Sequence, residues 1–119
     1  MNAVAKSYES DIDRLLTEVA LAGGLYGLGE VIAPIAAYLK TQERTAGAAS
    51  LAVGLAMITR KDYAGAILVL KALAEDPQQE KFHEEAAGFL ALAYKLSGDI
   101  RSIDSVRDKA PAHMIEAIG

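Results

Sequence analysis

The chain has 119 residues, with 12 Lys and Arg against 16 Asp and Glu, a formal net charge of −4, and no cysteine. Its length sets one domain as the default and allows a single core. The acidic balance argues against a nucleic-acid binder, which needs a basic stripe, and the missing cysteines exclude disulfides and thiolate metal sites. Hydrophobic residues make up 52%, rich for a small soluble protein, so a dense Ala-rich helical core or a face covered only in a complex is expected.

In chain order, residues 1–7 are expected to fray and 8–119 to form one domain. The N-terminal Met1-Asn2-Ala3-Val4-Ala5-Lys6-Ser7 has no apolar core of a signal peptide. Ser10 and Asp13 form a cap pair for a first helix, roughly 8–22, whose Ile12, Leu15, Leu16, Val19 and Ala20 make an amphipathic stripe. Gly23-Gly24 is expected to end it. A second helix runs over roughly 29–40 and must start near Gly29 and Glu30 to leave Pro34 close to its first turn, because proline has no N–H to donate. A third helix is expected over 43–60 and a fourth over 62–75. The longest uncharged run, Thr45–Thr59, spans about 15 residues, short of the roughly 20 that a membrane span needs, so no membrane insertion is expected. Asp76 is a good N-cap, Pro77 suits the first helical position, and Gln79 can reach back to the cap, which opens a fifth helix running to about Leu96. Ser97-Gly98 stops it, Gly98 being able to take positive φ. Asp99 caps a sixth helix, roughly 99–108, and Pro111 begins a short last helix to Ile118. No stretch alternates with period two, so the expected fold is all-α.

An internal repeat organises these elements. Gly54, Lys61-Asp62-Tyr63 and Ala66 correspond to Ala91, Gly98-Asp99-Ile100 and Ile103: a small residue on one helix, a polar turn ending in Asp, then a large apolar residue. Asp62 and Asp99 are 37 residues apart. Gly65 and Ala66 are small where the fourth helix must approach the third, and Tyr63 is expected to wedge between them. The spacing Gly54, Asp62, Tyr63, Ala66, Asp76-Pro77 resembles a tetratricopeptide (TPR) repeat. It implies a TPR-like stack of about three antiparallel helical hairpins, a right-handed α-α superhelix, with a short C-terminal helix.

Three segments carry a more specific resemblance. Leu15-Leu16-Thr17-Glu18-Val19-Ala20-Leu21-Ala22-Gly23, then Ile35-Ala36-Ala37-Tyr38-Leu39, then Arg60–Ala66 occur in order and at compatible spacing. The set resembles the YscG/PscG family of TPR-like chaperones of the type III secretion needle, over roughly residues 11–108. The chain departs from the family in the Gly-rich connection Gly23–Gly29, in Pro34 and in the tail after Ala110. The resemblance implies a cytoplasmic, virulence-associated chaperone that holds the needle-forming subunit monomeric by taking its C-terminal amphipathic helix in a concave groove, with a small helical co-chaperone at the N-terminal repeat. The alternative is a generic TPR-like scaffold or regulator unrelated to secretion.

In a TPR stack the first helix of each pair lines the concave face. Registered on Tyr63, that line falls at Ala48, Leu51, Leu55 and Ile58. Registered on Gly98-Asp99, it falls at Glu85, Gly88, Leu92 and Lys95, and in the first unit at Thr17, Leu21 and Leu25. An apolar groove of this kind suits an amphipathic helix. The partner-binding residues expected are therefore Leu21, Leu25, Leu51, Leu55, Ile58 and Leu92, with Tyr8 and Tyr26 at the N-terminal unit. Left bare, the groove allows self-association when partners are absent. A competing arrangement has the same side chains packed inside the domain, with Met114, Ile115 and Ile118 of the last helix filling part of the groove.

Nothing in the sequence assembles an active centre, so no enzyme, cofactor or metal is expected. His83 and His113 have no His or Cys at ligand spacing, and His83-Glu84-Glu85 reads as a solvated helix face. Gly23, Gly24, Gly27 and Gly29 follow a helix rather than a strand and precede no Lys-Ser/Thr, unlike a phosphate loop.

Overall fold

The longest uncharged run of the sequence becomes the helix around which the others pack. The computed structural model describes residues 14–24, 26 and 29–118. The first helix, α1, covers 14–24 of these. It is followed by α2 (Gly29–Lys40), α3 (Glu43–Thr59), α4 (Tyr63–Glu75), a 3-10 segment (Pro77–Phe82), α5 (His83–Ser97), α6 (Ile100–Ile103) and α7 (Ala112–Ile118). Among the described residues no strand occurs, and the chain is all-α. The expected frayed segment 1–7, the Ser10/Asp13 cap pair, Tyr8 and Leu25 lie outside the described residues.

Each helix packs on its successor, α2 on α3, α3 on α4 and α4 on α5, while α6 and α7 both pack on α5. The result is elongated, 51 × 28 × 21 Å, with a radius of gyration of 14.8 Å; a compact domain of this length would have about 13.5 Å. Successive antiparallel packing along one direction produces this shape.

α3 can be central because it is apolar on nearly every side and small at its contacts. Ala48, Ala49, Leu51, Ala52, Leu55 and Ala56 are all buried. A Cβ on Gly54 would lie 2.7 Å from Leu70 Cδ2, so the missing side chain is what admits α4. At the start of α3 the 3-10 segment crosses over Gly47, where a Cβ would lie 2.4 Å from both Gln79 Oε1 and Phe82 Cδ2. At the α2–α3 corner, buried Thr45 donates through Oγ1 to the Leu39 carbonyl at 2.5 Å, satisfying a carbonyl at the end of α2.

The repeat appears most directly in two turns. Lys61 N–H donates to the Ile58 carbonyl at 3.0 Å and Asp62 N–H to Met57 at 2.8 Å; Gly98 N–H donates to Lys95 at 3.1 Å and Asp99 N–H to Tyr94 at 2.9 Å. Both turns place one residue in the left-handed region, Lys61 at φ 65 and Gly98 at φ 86. Both then place an aspartate whose side chain caps the next helix, with φ/ψ of −88/71 at Asp62 and −92/74 at Asp99. Each is a Schellman-type C-terminus running into an N-cap, and every element of one matches the other at an offset of 37 residues.

Several sequence expectations need correction. Gly23 and Gly24 are the last two described residues of α1, and both are helical and buried. Their lack of a side chain lets other helices close in: a Cβ on Gly23 would lie 2.2 Å from Ile32 Cγ2, and one on Gly24 2.6 Å from the Ala52 carbonyl oxygen. Gly65 does not serve the α3–α4 approach, since its Cβ would meet the Asp62 carboxylate, 2.5 Å from Oδ2; it leaves room for the cap. Ala66, fully buried, is the small residue at the approach. Asp76 caps the 3-10 segment, accepting from Gln78 N–H at 2.9 Å, and α5 begins only at His83. Gln79 does not reach back to Asp76; its Nε2 donates to the Glu43 carbonyl at 3.0 Å, tying the segment to α3. α6 stops at Ile103 rather than near 108. Ser105 Oγ donates to the Ser102 carbonyl at 2.5 Å, one of the local bonds with which serine competes against a helix.

Candidate functional site

The expected concave line on α3 is closed. Leu51 and Leu55 are each 6% exposed and belong to the main core cluster with Ala86, Ala87 and Leu90 of α5, against which Leu21 and Ile58 pack half-buried. The cause is the size of the facing residues. Two consecutive alanines on α5 and Gly24 on α1, whose Cβ would lie 3.3 Å from Leu55 Cβ, let both helices close on that side of α3. Leu51 and Leu55 are core residues here and not the lining of an open channel.

On α5 the expected line is covered at Gly88. A Cβ there would lie 2.4 Å from Met114 Sδ and 3.3 Å from Pro111 Cδ. Leu92 is half-buried, Glu85 is exposed, and Lys95 Nζ donates to the Ile118 carbonyl oxygen. The C-terminal helix therefore lies along α5, as the competing arrangement had it.

The open side of α3 is the opposite one. Ala46, Ser50, Val53 and Met57, spaced four, three and four apart, are half-buried and form its solvent-facing stripe. α2 and α4 flank this stripe without packing on each other. Two clefts follow it. One of about 340 Å³ lies between α3 and α4, lined by Ala46, Ser50, Leu68, Val69 and Ala72. The other, about 280 Å³, lies between α2 and α3, lined by Ala33, Ala36, Ala37, Val53 and Ala56. Lys40 borders both, and Arg60 closes the far end of the second. From Ala46 to Arg60 the floor is about 21 Å long at 1.5 Å per residue. This furrow has a small-residue floor and apolar walls along its middle, with Glu30, Lys40, Arg60, Asp76 and Gln79 at its margins, and Leu68 on its rim is 73% exposed. The sequence reading missed it because the register was taken from the repeat. The Ala33, Ala36, Ala37 face of α2, with nothing large to fill a gap, is the signal that could have found it.

A second apolar surface lies on α1. Leu15 is 60% exposed, Val19 44% and Tyr26 81%. With exposed Ala22 they form one outward stripe at helical spacing. Among the sequence-predicted residues, then, Tyr26 is bare, Leu21, Ile58 and Leu92 are half-buried, Leu51 and Leu55 are buried, and Tyr8 and Leu25 are outside the described residues.

Polar chemistry is sparse. His83 is not simply solvated: its Nε2 pairs with the Asp76 carbonyl oxygen, holding the start of α5 to the end of α4. Among the described residues no three His, Asp or Glu side chains gather as a metal site, and no helix is long and apolar enough to cross a membrane. Comparison with known proteins adds no relative, since no family model, curated protein or solved structure matches the chain.

Proposed function

We propose that this chain is a TPR-like stack of helical hairpins that binds a helix of another protein, and that its role is that of a type III secretion chaperone keeping a needle-forming subunit from polymerising. The single observation that carries the binding role is the furrow along α3. It is open, small-floored, apolar along its middle with charged groups at its margins, and long enough for about four turns of helix, which is the shape required to bury the apolar face of an amphipathic helix. The matched turns at Lys61-Asp62 and Gly98-Asp99 support the repeat architecture. The ordered segments Leu15–Gly23, Ile35–Leu39 and Arg60–Ala66 support the secretion assignment.

The stripe on α1 supports the second partner. The outermost unit of a stack needs a polar outer face to stay soluble alone. Leu15, Val19 and Tyr26 are the reverse of that, and a small helical co-chaperone laid over α1 would cover them. The groove of this reading is the furrow, not the line through Leu51 and Leu55.

Co-expression with a helical needle subunit, followed by pull-down, tests the proposal. The chain should hold the subunit monomeric. Glutamate at the two exposed furrow positions, Ala37→Glu and Leu68→Glu, should abolish capture while leaving the melting curve in place. Undiminished capture by that variant would rule out the furrow. Capture of acidic C-terminal peptides in place of the subunit would replace the secretion role with that of a generic scaffold.

A further inference from the structure

The outward stripe of α1 has an internal order. Leu15, Val19, Ala22 and Tyr26 follow one another at spacings of four, three and four residues. Tyr26 continues the spiral of α1, because its N–H donates to the Ala22 carbonyl at 3.0 Å, the bond an α-helix makes. All four are exposed, while Ala20 and Gly24 on the opposite side are buried. Alternating steps of four and three are those of the d and a positions of a heptad, the seam along which one helix receives another. The series also reads the same from either end. A second copy of α1 laid antiparallel therefore meets the first in register: Val19 stands opposite Ala22 twice, and Leu15 opposite Tyr26 twice. The two layers holding alanine lie at the centre, where they let the backbones approach, and the two larger layers lie outside. A parallel copy has no such match. It would set Ala22 on Ala22 beside Tyr26 on Tyr26, a gap next to a bulge, and bring Glu18 level with Glu18. The antiparallel arrangement separates those two carboxylates by about 7.5 Å along the helix axes.

We infer that α1 is the interface of a two-fold homodimer, in which the seams of two copies pack antiparallel. The occupant is a second copy because the seam is self-complementary in spacing and in size. A contact of this kind uses the same patch on both copies and closes on itself, so assembly stops at two. Four layers of one short helix bury less than the roughly 800 Å² per partner of a stable standard interface, so the dimer is weak and its copies exchange. A helix of another protein that covers α1, a co-chaperone included, then competes with the second copy. The inference goes beyond the proposed function and rests on the seam alone, so it stands or falls without the furrow or the secretion role, and this chain suffices to test it.

Sedimentation of the full chain over about a hundredfold range of concentration should show a monomer–dimer equilibrium and nothing larger. Leu15→Glu with Val19→Glu should hold the chain monomeric throughout that range and leave its melting curve in place, since both side chains are exposed. Orientation is read by cross-linking, which the absence of cysteine from the chain makes clean. Under mild oxidation, an equimolar mixture of a Leu15→Cys chain and a Tyr26→Cys chain should yield about tenfold more disulfide-linked dimer, or better, than either chain alone, because in the antiparallel pair like positions lie about 16 Å apart along the axis. A parent that stays monomeric at every concentration, a dimer that the double-glutamate variant keeps, or a mass that grows past two copies would overturn the inference. A Leu15→Cys chain that links to itself as readily as the mixture does would make the pair parallel and overturn it equally.

Discussion

Lys61 and Gly98 stand at the same point of two successive turns, both with positive φ, 65 and 86. Only one of them is glycine. A left-handed backbone costs an L-residue with a Cβ roughly 1–2 kcal/mol. Gly98→Ala should therefore destabilise the chain by about 1 kcal/mol, through the backbone alone, because nothing lies within 4 Å of the added Cβ. Gly98→Asn should cost less. Lys61→Gly should stabilise by up to about 1 kcal/mol, less what the freer unfolded chain gives back. Urea denaturation of the three variants checks the signs.

The two aspartates that follow should behave as a pair. Asp62 Oδ1 accepts from Gly65 N–H at 3.0 Å. Asp99 accepts from Ser102 N–H at 3.3 Å and from Ser102 Oγ at 2.6 Å. Replacement of either by alanine should cost about 1 kcal/mol, and by asparagine little, since Asn is as good a cap. If Asp→Asn costs as much as Asp→Ala in denaturant melts, charge rather than capping is what these residues supply.

Gly54 sits against Leu70, which is fully buried and has nowhere to retreat. Gly54→Leu should cost about 1–3 kcal/mol by overpacking, despite the gain in helix propensity. Leu70→Ala alone should cost about 2–5 kcal/mol by leaving a cavity. The double variant should cost clearly less than the sum, because the new side chain enters the space the old one left. Additive costs would mean that the two positions are not in contact in solution.

Leucines of the same type should answer differently according to where the fold puts them. Leu55→Asp buries an unpaired charge in the core and should unfold the domain. Leu68→Glu and Leu15→Glu lie on exposed apolar surface and should leave stability within about 0.5 kcal/mol while raising solubility. Circular dichroism melts and the solubility limit of each variant distinguish the cases.

Helix positions were legible because they depend on local signals: the Asp62 and Asp99 caps, the Gly98 stop, and the apolar continuity of Thr45–Thr59. The repeat was legible because its turns are local as well. Which side of α3 stays open was not. It depends on how closely α1 and α5 approach, and that is set by Gly24, Ala86 and Ala87, residues distant in sequence whose smallness could equally have served a turn or a surface. Registering the line on Tyr63 takes the first helix of each pair to line an open concave face. Here that side is pressed shut, and the gap lies between α2 and α4. The end of α6 was not legible for a related reason, since Ser105 Oγ bonds to the Ser102 carbonyl and Arg107 Nε donates to Asp104 Oδ1 at 3.3 Å, bonds that no apolar spacing reveals.

α3 has no charged residue between Thr45 and Thr59, and its walls come from both sides of it in the chain. When a ribosome has released α3, α1 and α2 can already lie against it, but α4 and α5 have not yet been made. During that interval the oiliest stretch of the polypeptide is half naked. Slow translation just downstream of Thr59 would lengthen the interval, so slow codons in α4 and α5 should lower the yield of folded protein with no change in sequence.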